Sequence, residues 1–492
     1  MSGESVSGRA VTAAFTWLFA ALAMVALMSP PGATQDEWYH ATSIWCARGE
    51  REPYCSDNAA VPELGVGAFT NLDPINCQTG QEEPLLCPPD RDTNTRVRIN
   101  DGLYPKLFYF ALSWFVVPST EVSFYLARAA GALVVTTLLA LAMWLLPSRH
   151  RLVLFLVMLT SFVPTGYFLF ASINPSSWTA AGVGVGWLAI HAALAERNQS
   201  RAQRGRLLLV GLLGYVITIG SRWDGIPFVA LATTLGVFLA VWSRFPNLRR
   251  RITFLSLAVA FMALLLLMLF SSDRISFNPR ILLRFSGDQP DNVIFFSRNL
   301  LDGLPNALRA LGTVPSMDDI AIPEAVYVLS LMILGWHFFA TLNRSDKVQA
   351  VGLVSLAIVI GLVIAAQVAL LDDRDSGFIE PRYAYPLLLL AIGWWFLSGP
   401  EDLSALVGRY LRLSSAVSVA AFAIFGFAIT ERFVDWQTYG VRYLPESRDQ
   451  WWWSWLPVGP NVVVILAPVC LWFSLRSITR LLSDANPSVS SR

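Results

Sequence analysis

The sequence predicts an all-α integral membrane protein, and two observations support this class. Of the 492 residues, 54% are hydrophobic and only 14% are charged, against roughly 25% charged in an ordinary soluble domain. The apolar residues form long uncharged runs, such as 11–29, 207–219 and 252–270, which are long enough to cross a bilayer. The net charge of +1 gives no sign of a nucleic-acid partner. The sequence has no phosphate-binding loop and no metalloprotease motif, so it gives no sign of soluble nucleotide or zinc chemistry either.

About 12 transmembrane helices result when each apolar run of sufficient length is counted as one crossing. They begin near residues 11, 121, 151, 178, 207, 226, 252, 323, 349, 384, 414 and 461. The whole chain, 1–492, is therefore expected to form a single multi-pass membrane domain. For residues 1–29, a cleaved signal peptide is the alternative to a first span that stays in the protein.

The distribution of basic residues predicts the orientation of these spans. With a cytoplasmic N-terminus, the short cytoplasmic segments hold half of the 36 Lys and Arg residues but few of the 35 acidic residues. Lys and Arg concentrate in the short cytoplasmic loops of membrane proteins. We therefore expect a protein of the cytoplasmic membrane, with both termini in the cytoplasm and any active site outside it.

Residues 103–118 are apolar but are not expected to cross the membrane. Counting them as a span would reverse every later loop and would move the arginine clusters to the outside. Their aromatic side chains suit a re-entrant or interfacial helix at the outer headgroup level. These aromatic residues are Tyr104, Phe108, Tyr109, Phe110 and Trp114.

Three large loops are expected on the outer face, at 30–120, 271–322 and 431–460. The first loop contains four of the five cysteines. These are Cys46, Cys55, Cys77 and Cys87. Four thiols in one polar loop predict two disulfides, which require an oxidising exterior, and all three pairings remain open. The alternative, a metal site, lacks closely spaced C-x-x-C pairs.

An acidic segment directly follows the first span. Asp36, Glu37 and His40 lie within five residues of one another, and a helix that begins near Thr34 would place Asp36 and His40 on one face. A carboxylate here could act as a general base or bind a cation. The alternative is an ordinary helix start, where acidic residues favour the helix dipole.

Four further polar residues lie on or near the outer face, and each has a structural alternative. Asn174 begins a turn and a helix start. Arg222 could bind a lipid phosphate or pair with Asp224. Arg382 could fork onto a phosphate or extend to the interface from a helix end. Arg128, within the second span, either faces the protein interior with a functional role or reaches the interface.

The tryptophan-rich loop and two histidines are expected to be structural. Four tryptophans predict an aromatic belt, with a sugar-stacking platform as the alternative. They are Trp451, Trp452, Trp453 and Trp455. His191 and His337 are lone residues near cytoplasmic span ends, and no catalytic role is expected for them.

The order of the short motifs along the chain resembles a bacterial multi-pass family that is known as a domain of unknown function and grouped with the GT-C glycosyltransferases. The motifs are Asp36-Glu37 with His40, YPKLFY at 104–109, Arg128 in LAR, INPSS at 173–177 and IEPRYAYP at 379–386. The resemblance covers residues 11–400. The chain departs from the family's pattern where Ser176 replaces an Asp and where Glu380-Pro381 replaces a Gly before Arg382.

The resemblance implies a GT-C-like fold and a membrane transferase that moves a sugar from a polyprenyl-phosphate donor to a cell-envelope glycan on the outer face. Asp36 and Glu37 would be the catalytic residues, with Asp36 as the base and a divalent cation on the pair as an open alternative. Substrate- or donor-binding roles are expected for His40, Lys106, Arg128, Asn174, Arg222, Arg382 and Tyr383. The expected partners are the lipid-linked donor, the glycan acceptor and membrane lipids, with no nucleic acid.

A transporter or lipid flippase is the competing class. Transporters usually place their polar groups near the membrane midplane, often on broken helices. Here the spans near 252, 323 and 349 have almost no charge at mid-depth, whereas the polar residues cluster outside. The sequence therefore favours an enzyme. A structural scaffold, the third class, would leave Asp36 without a role.

Overall fold

The structure is a computed structural model, and the part of the chain that it describes is helical apart from turns and short connections. It describes residues 6–31, 34, 37–48, 104–161, 166–196, 198–244, 323–342, 349–350, 381–400, 402–434, 453 and 455–484. Within this part, eight helices are long and apolar enough to cross a membrane. The prediction of an all-α membrane protein is confirmed for these residues.

Thirteen α-helices and one 3-10 helix, Ser113–Phe115, have their bounds in the described ranges. In chain order the α-helices are α1 (Gly8–Val25), α2 (Glu37–Trp45), α3 (Lys106–Leu112), α4 (Thr120–Leu145), α5 (Ser148–Ser161), α6 (Tyr167–Phe170), α7 (Pro175–Ala195), α8 (Arg201–Ser221), α9 (Gly225–Arg244), α10 (Glu324–Leu342), α11 (Pro381–Leu397), α12 (Leu403–Val434) and α13 (Pro460–Asp484). The candidate membrane spans fall in α1, α4, α7, α8, α9, α10, α12 and α13.

The prediction of about 12 spans is met in part. Eight of the predicted starts correspond to the candidate spans. The starts near 151 and 384 fall in α5 and α11, whose 14 and 17 residues are fewer than the ~20 of a typical crossing. The runs that begin near 252 and 349 lie almost wholly outside the described residues, so these two spans stay a prediction.

Helices α5 and α7 lie in the interior of the bundle. Every residue from His150 to Ser161 in α5 is buried, and α7 is buried along nearly its whole length. Such helices are enclosed by other helices on all sides. Helix α7 packs closely against α8, where a Cβ on Gly214 would lie only 2.7 Å from the carbonyl oxygen of Gly182. Glycine at both positions lets the two backbones approach.

The described helices run between two ends of the bundle, which we name after Glu37 and Arg149. At the Glu37 end, hydrogen bonds of Glu37 and Arg128 join the C-terminus of α1 to the first part of α4 and to the turn before α7. At the Arg149 end, Arg149 and His150 at the start of α5 contact the C-terminal parts of α11 and α7. The N-terminus of α1 therefore lies at the Arg149 end.

Helix α13 packs antiparallel to α1. Trp453, shortly before α13, donates a hydrogen bond to the carbonyl oxygen of Leu27, just after α1. Further along the pair, the rings of Trp17 and Phe473 lie 5.1 Å apart. The start of α1 and the end of α13 consequently lie at the same end of the bundle.

The described parts of the first predicted outer loop lie at the Glu37 end. Helix α3 has only seven residues, about 10 Å of helix, so the chain does not cross the bilayer there. Cys46, after α2, is disulfide-bonded. Cys55, Cys77 and Cys87 lie outside the described residues, as does the loop 271–322, and the two-disulfide arrangement stays a prediction.

Candidate functional site

A buried ion pair between Glu37 and Arg128 lies at the centre of the Glu37 end. Glu37 is the first residue of α2, and Arg128 lies on the third turn of α4. Both side chains are 0% exposed. The guanidinium donates from Nε to Oε1 over 2.7 Å and from Nη2 to Oε2 over 2.5 Å. This bidentate geometry gives strong, charge-assisted hydrogen bonds.

Arg128 uses its other donors to bind the chain that follows α1. Nη1 donates to the carbonyl oxygens of Ala26 over 2.6 Å and Ser29 over 2.9 Å. Nη2 donates to the carbonyl oxygen of Pro30 over 2.8 Å. Together with the bonds to Glu37, these contacts occupy all five N–H groups of the guanidinium. A phosphate at Arg128 would have to displace one of these acceptors.

Glu37 also contacts the turn that precedes α7. The backbone N–H of Ile173 donates to Oε1 over 3.2 Å, and that of Thr34 donates to Oε2 over 3.5 Å. The side-chain oxygen of Asn174 then caps α7 by accepting from the N–H of Ser176 over 2.9 Å. The helix-start alternative for this turn is confirmed. The donor-binding role of Asn174 stays a prediction.

Arg222 lies at the same end, in the turn between α8 and α9. It donates to Asp224 from Nε over 2.8 Å and from Nη2 over 2.7 Å, which confirms the ion-pair alternative. Its Nη1 donates to Ser176 Oγ over 2.9 Å. The guanidinium carbon also lies 5.7 Å from the ring centroid of Tyr104. Through Ser176, Arg222 joins the α8–α9 turn to the turn that contacts Glu37.

His40 lies one turn after Glu37 on α2 and contacts the aromatic residues of the α3 segment. Its Nδ1 is 2.9 Å from the hydroxyl oxygen of Tyr109, and both side chains are buried. Its ring meets Tyr104 edge-on, with centroids 5.3 Å apart. The ring of Tyr109 faces inward to His40, and the position of this helix at the headgroup level stays a prediction. Tyr104 links His40 to Arg222.

The remaining predicted site residues are placed in part or not at all. Asp36 lies outside the described residues, directly before Glu37 in the chain. Lys106 is exposed at the start of α3. Arg382 and Tyr383 begin α11, where only their backbone is described. Among the described residues, no group of three or more His, Cys, Asp or Glu could hold a metal ion.

Trp453 also lies at the Glu37 end, although the sequence predicts a place for it in an aromatic belt at the membrane interface. The aromatic-belt prediction is wrong for Trp453, since its side chain is 1% exposed. Its Nε1–H donates to the carbonyl oxygen of Leu27 over 2.8 Å, and its ring centroid lies 5.7 Å from the guanidinium carbon of Arg128. The run WWWSW offers no local signal that separates this tryptophan from its neighbours.

The two histidines that are expected to be lone both have partners. Nδ1 of His191, on α7, is 2.8 Å from Nε2 of His150. Nε2 of His337, on α10, is 2.9 Å from the hydroxyl oxygen of Ser414. The expectation of isolation is wrong, because packing brings a partner from another helix to each ring. Their lack of a catalytic role stays a prediction.

Comparison with known families decides the family of the chain. The model of a family described as "Predicted membrane protein (DUF2142)" matches residues 19–391. The chain belongs to this family. The DUF2142 region includes Glu37, Arg128 and Arg222, whereas Trp453 lies beyond it. No curated protein and no solved structure matches the chain.

Proposed function

We propose that this DUF2142 protein is a membrane glycosyltransferase of the GT-C type. It moves a sugar from a polyprenyl-phosphate donor to a glycan or another acceptor on the outer face of the cytoplasmic membrane. The observation that carries the proposal is the convergence of residues from distant segments at one end of the bundle. Glu37, His40, Arg128, Asn174 and Arg222 meet there through hydrogen bonds and ring contacts. Asp36 directly precedes Glu37 in the chain.

The two neighbouring acids have different roles in this proposal. Both oxygens of Glu37 accept hydrogen bonds from Arg128, so Glu37 is a positioning residue that fixes the start of α2. Asp36 is the general base, which takes the proton of the acceptor hydroxyl as that oxygen attacks the anomeric carbon. The bond from the anomeric carbon to the phosphate oxygen breaks, and its electron pair stays on the departing polyprenyl phosphate.

Cationic side chains at the Glu37 end would stabilise the departing phosphate. Arg222 lies beside Tyr104, Lys106 follows Tyr104 by two residues, and α11 begins at this end with Arg382 and Tyr383. A guanidinium can fork onto phosphate oxygens and stabilise the charge that develops as the sugar leaves.

The proposed step uses no cofactor. A divalent cation on Asp36 and Glu37 is the alternative, and it would compete with Arg128 for the oxygens of Glu37. Loss of transfer in EDTA, with recovery on addition of MgCl₂ or MnCl₂, would establish the cation.

The charges of the described residues support an orientation with the Glu37 end outside. Apart from Arg48 at the Glu37 end, the exposed arginines of the described residues occur in the half of the bundle toward the Arg149 end. They are Arg9, Arg201, Arg206, Arg244, Arg412, Arg476 and Arg480. Basic residues mark the cytoplasmic side, so both termini are proposed to be cytoplasmic. The loop cysteines would then lie in the oxidising exterior that two disulfides require.

The test is a transfer assay on purified protein in lipid nanodiscs. A panel of polyprenyl-phosphate sugars is incubated with cell-envelope glycan, and mass spectrometry measures the products. We expect transfer of one sugar from at least one donor. Asp36→Asn should lower the rate by about 10²- to 10⁴-fold, as for loss of a general base, while donor binding is kept.

Glu196→Gln is the matched control, because it removes an acid at the opposite end of the bundle. Its transfer rate should equal that of the wild type. If Asp36→Asn were fully active and Glu37→Gln inactive, the two acids would have exchanged roles. Full activity of both variants would reject the proposed mechanism.

Transport is the competing function, and the position of the polar contacts argues against it. Helix α7, in the interior, has no Asp, Glu, Lys or Arg between Pro175 and Ala195, whereas transporters place binding groups near the midplane. Movement of a labelled lipid-linked sugar across proteoliposomes, without any chemical transfer, would support transport instead.

A further inference from the structure

We propose that Tyr125, Trp453 and Trp455, which we call the aromatic wall, form a carbohydrate-binding subsite at the Glu37 end. The ligand class is a neutral pyranose unit of the acceptor glycan, stacked on the exposed ring of Trp455. The assignment of this ligand to the acceptor rests on the proposed glycosyltransferase function.

The three rings of the wall form a compact triangle. The centroids of Tyr125 and Trp455 lie 5.3 Å apart, those of Tyr125 and Trp453 lie 6.2 Å apart, and those of Trp453 and Trp455 lie 6.3 Å apart. Exposure rises across the triangle, from 1% at Trp453 through the half-buried Tyr125 to 38% at Trp455. The wall therefore has a buried base and one ring that a ligand can reach.

The base of the wall is fixed against the buried ion pair. The ring of Trp453 lies 5.7 Å from the guanidinium carbon of Arg128, and its N–H is bound to the carbonyl oxygen of Leu27. Tyr125 lies one turn before Arg128 on the same face of α4. The wall is thus continuous with the Glu37–Arg128 pair, which the proposed function places next to the catalytic base.

The chemistry of the wall suits a sugar. One face of a pyranose ring presents C–H groups, which pack on the apolar face of an aromatic ring. The other edge presents hydroxyl groups, which need polar partners. Glu121 lies one turn before Tyr125 on the same face of α4. A belt tryptophan presents its N–H to the headgroups, whereas the N–H of Trp453 is used inside the protein.

Binding without a donor tests the wall directly. Full-length protein in nanodiscs is titrated by calorimetry with cellotetraose, maltotetraose and α-1,6-mannotetraose. We expect saturable binding of at least one probe. Trp455→Ala should weaken that binding by at least about tenfold through loss of the stacking face, and Trp455→Phe should retain most of it.

Two controls separate stacking from general effects of tryptophan loss. Trp144→Ala removes an exposed tryptophan at the far end of the same helix α4, and it should bind the probe as the wild type does. Asp36→Asn should also bind normally, because the probe does not need the base.

The outcomes keep the wall and the transferase apart. If Trp455→Ala lost binding while the two control variants kept it, and if the wild type transferred no sugar, the wall would be supported and the transferase rejected. Active transfer with an unchanged KM for the acceptor in Trp455→Ala would reject the wall and keep the transferase. The wall is also rejected if no probe binds saturably or if Trp455→Ala binds as the wild type does.

Discussion

Arg128 and Arg149 lie at opposite ends of the bundle and have different partners. Arg128 pairs with Glu37 and is fully enclosed. Arg149 donates from Nη2 to the carbonyl oxygens of Leu397 over 3.0 Å and Gly399 over 2.5 Å, at the C-terminus of α11. A helix C-terminus carries partial negative charge, so it can accept a guanidinium without any carboxylate.

The same contrast extends to the neighbours of Arg149. Arg151 donates to the carbonyl oxygen of Trp144 over 3.4 Å, at the end of α4, and Arg244 donates to that of Leu194 over 3.3 Å, at the end of α7. At the Arg149 end, arginine side chains thus bind the carbonyl groups at the C-termini of helices. The Glu37 end instead contains a buried carboxylate, whose desolvation is costly, and surrounds it with aromatic and hydroxyl groups. This difference supports a structural role for the Arg149 end and agrees with the proposed reaction at the Glu37 end.

Removal of the buried guanidinium should have the largest effect. Arg128→Met removes the positive charge that pairs with the buried Glu37 and the donor to three carbonyl groups, so the free energy of unfolding should fall by about 3–5 kcal/mol. Thermal unfolding in detergent measures it. The double variant Arg128→Met with Glu37→Leu should recover part of the loss, because no buried charge remains. A single variant as stable as the wild type would contradict the ion pair.

A smaller loss of stability is expected at the other end. Arg149→Gln removes two hydrogen bonds to the end of α11 and should lower the free energy of unfolding by about 1–2 kcal/mol, with the transfer rate unchanged. The control is Arg201→Gln, at an exposed position of the same end. An Arg149→Gln protein that is stable but inactive in transfer would break the proposed division between the two ends.

The smallest effect concerns pH. Burial, followed by His191 and Arg149, holds the pKa of His150 well below its usual value of 6.5. Glu196 faces Nδ1 at 3.8 Å but is partly exposed. The folded state therefore keeps His150 neutral, whereas the unfolded chain takes up a proton below about pH 6.5, so stability should fall as the pH drops from about 7 to about 5.

The comparison with His150→Gln isolates this contribution. Thermal unfolding of both proteins is followed over the same pH series. The variant should show a flatter decline toward low pH, because its amide does not titrate. Equal slopes in the two proteins would assign the pH dependence to other groups.

Local features of the Glu37 end are predictable from the sequence. The Asn174-Pro175 turn predicts a helix start, and Asn174 caps α7. The pairing of Arg222 with Asp224 is also open to prediction, because the two residues are only two positions apart. Contacts of this kind depend on neighbours along the chain, so residue type and spacing are sufficient to suggest them.

The contacts of Arg128 are only half predictable. A charge within a span predicts an inward-facing side chain, but it does not name the partner. Many acids in the chain could serve, and Glu37 lies 91 residues earlier. Trp453 shows the same limit, because a cluster of tryptophans suits a membrane interface as well as a packed interior.

Hydropathy and the spacing of basic residues determine by themselves that this chain is an all-α membrane protein, and they locate the described spans. The physical reason is that an apolar medium offers the backbone no hydrogen-bond partners, and an uninterrupted apolar run of about 20 residues satisfies its own backbone groups as a helix. Only the tertiary structure decides that Glu37 neutralises Arg128, that Trp453 turns inward to Leu27 and that His150 meets His191. These partners are 91, 426 and 41 residues apart, and the packing of helices, rather than spacing along the chain, brings them within hydrogen-bond distance.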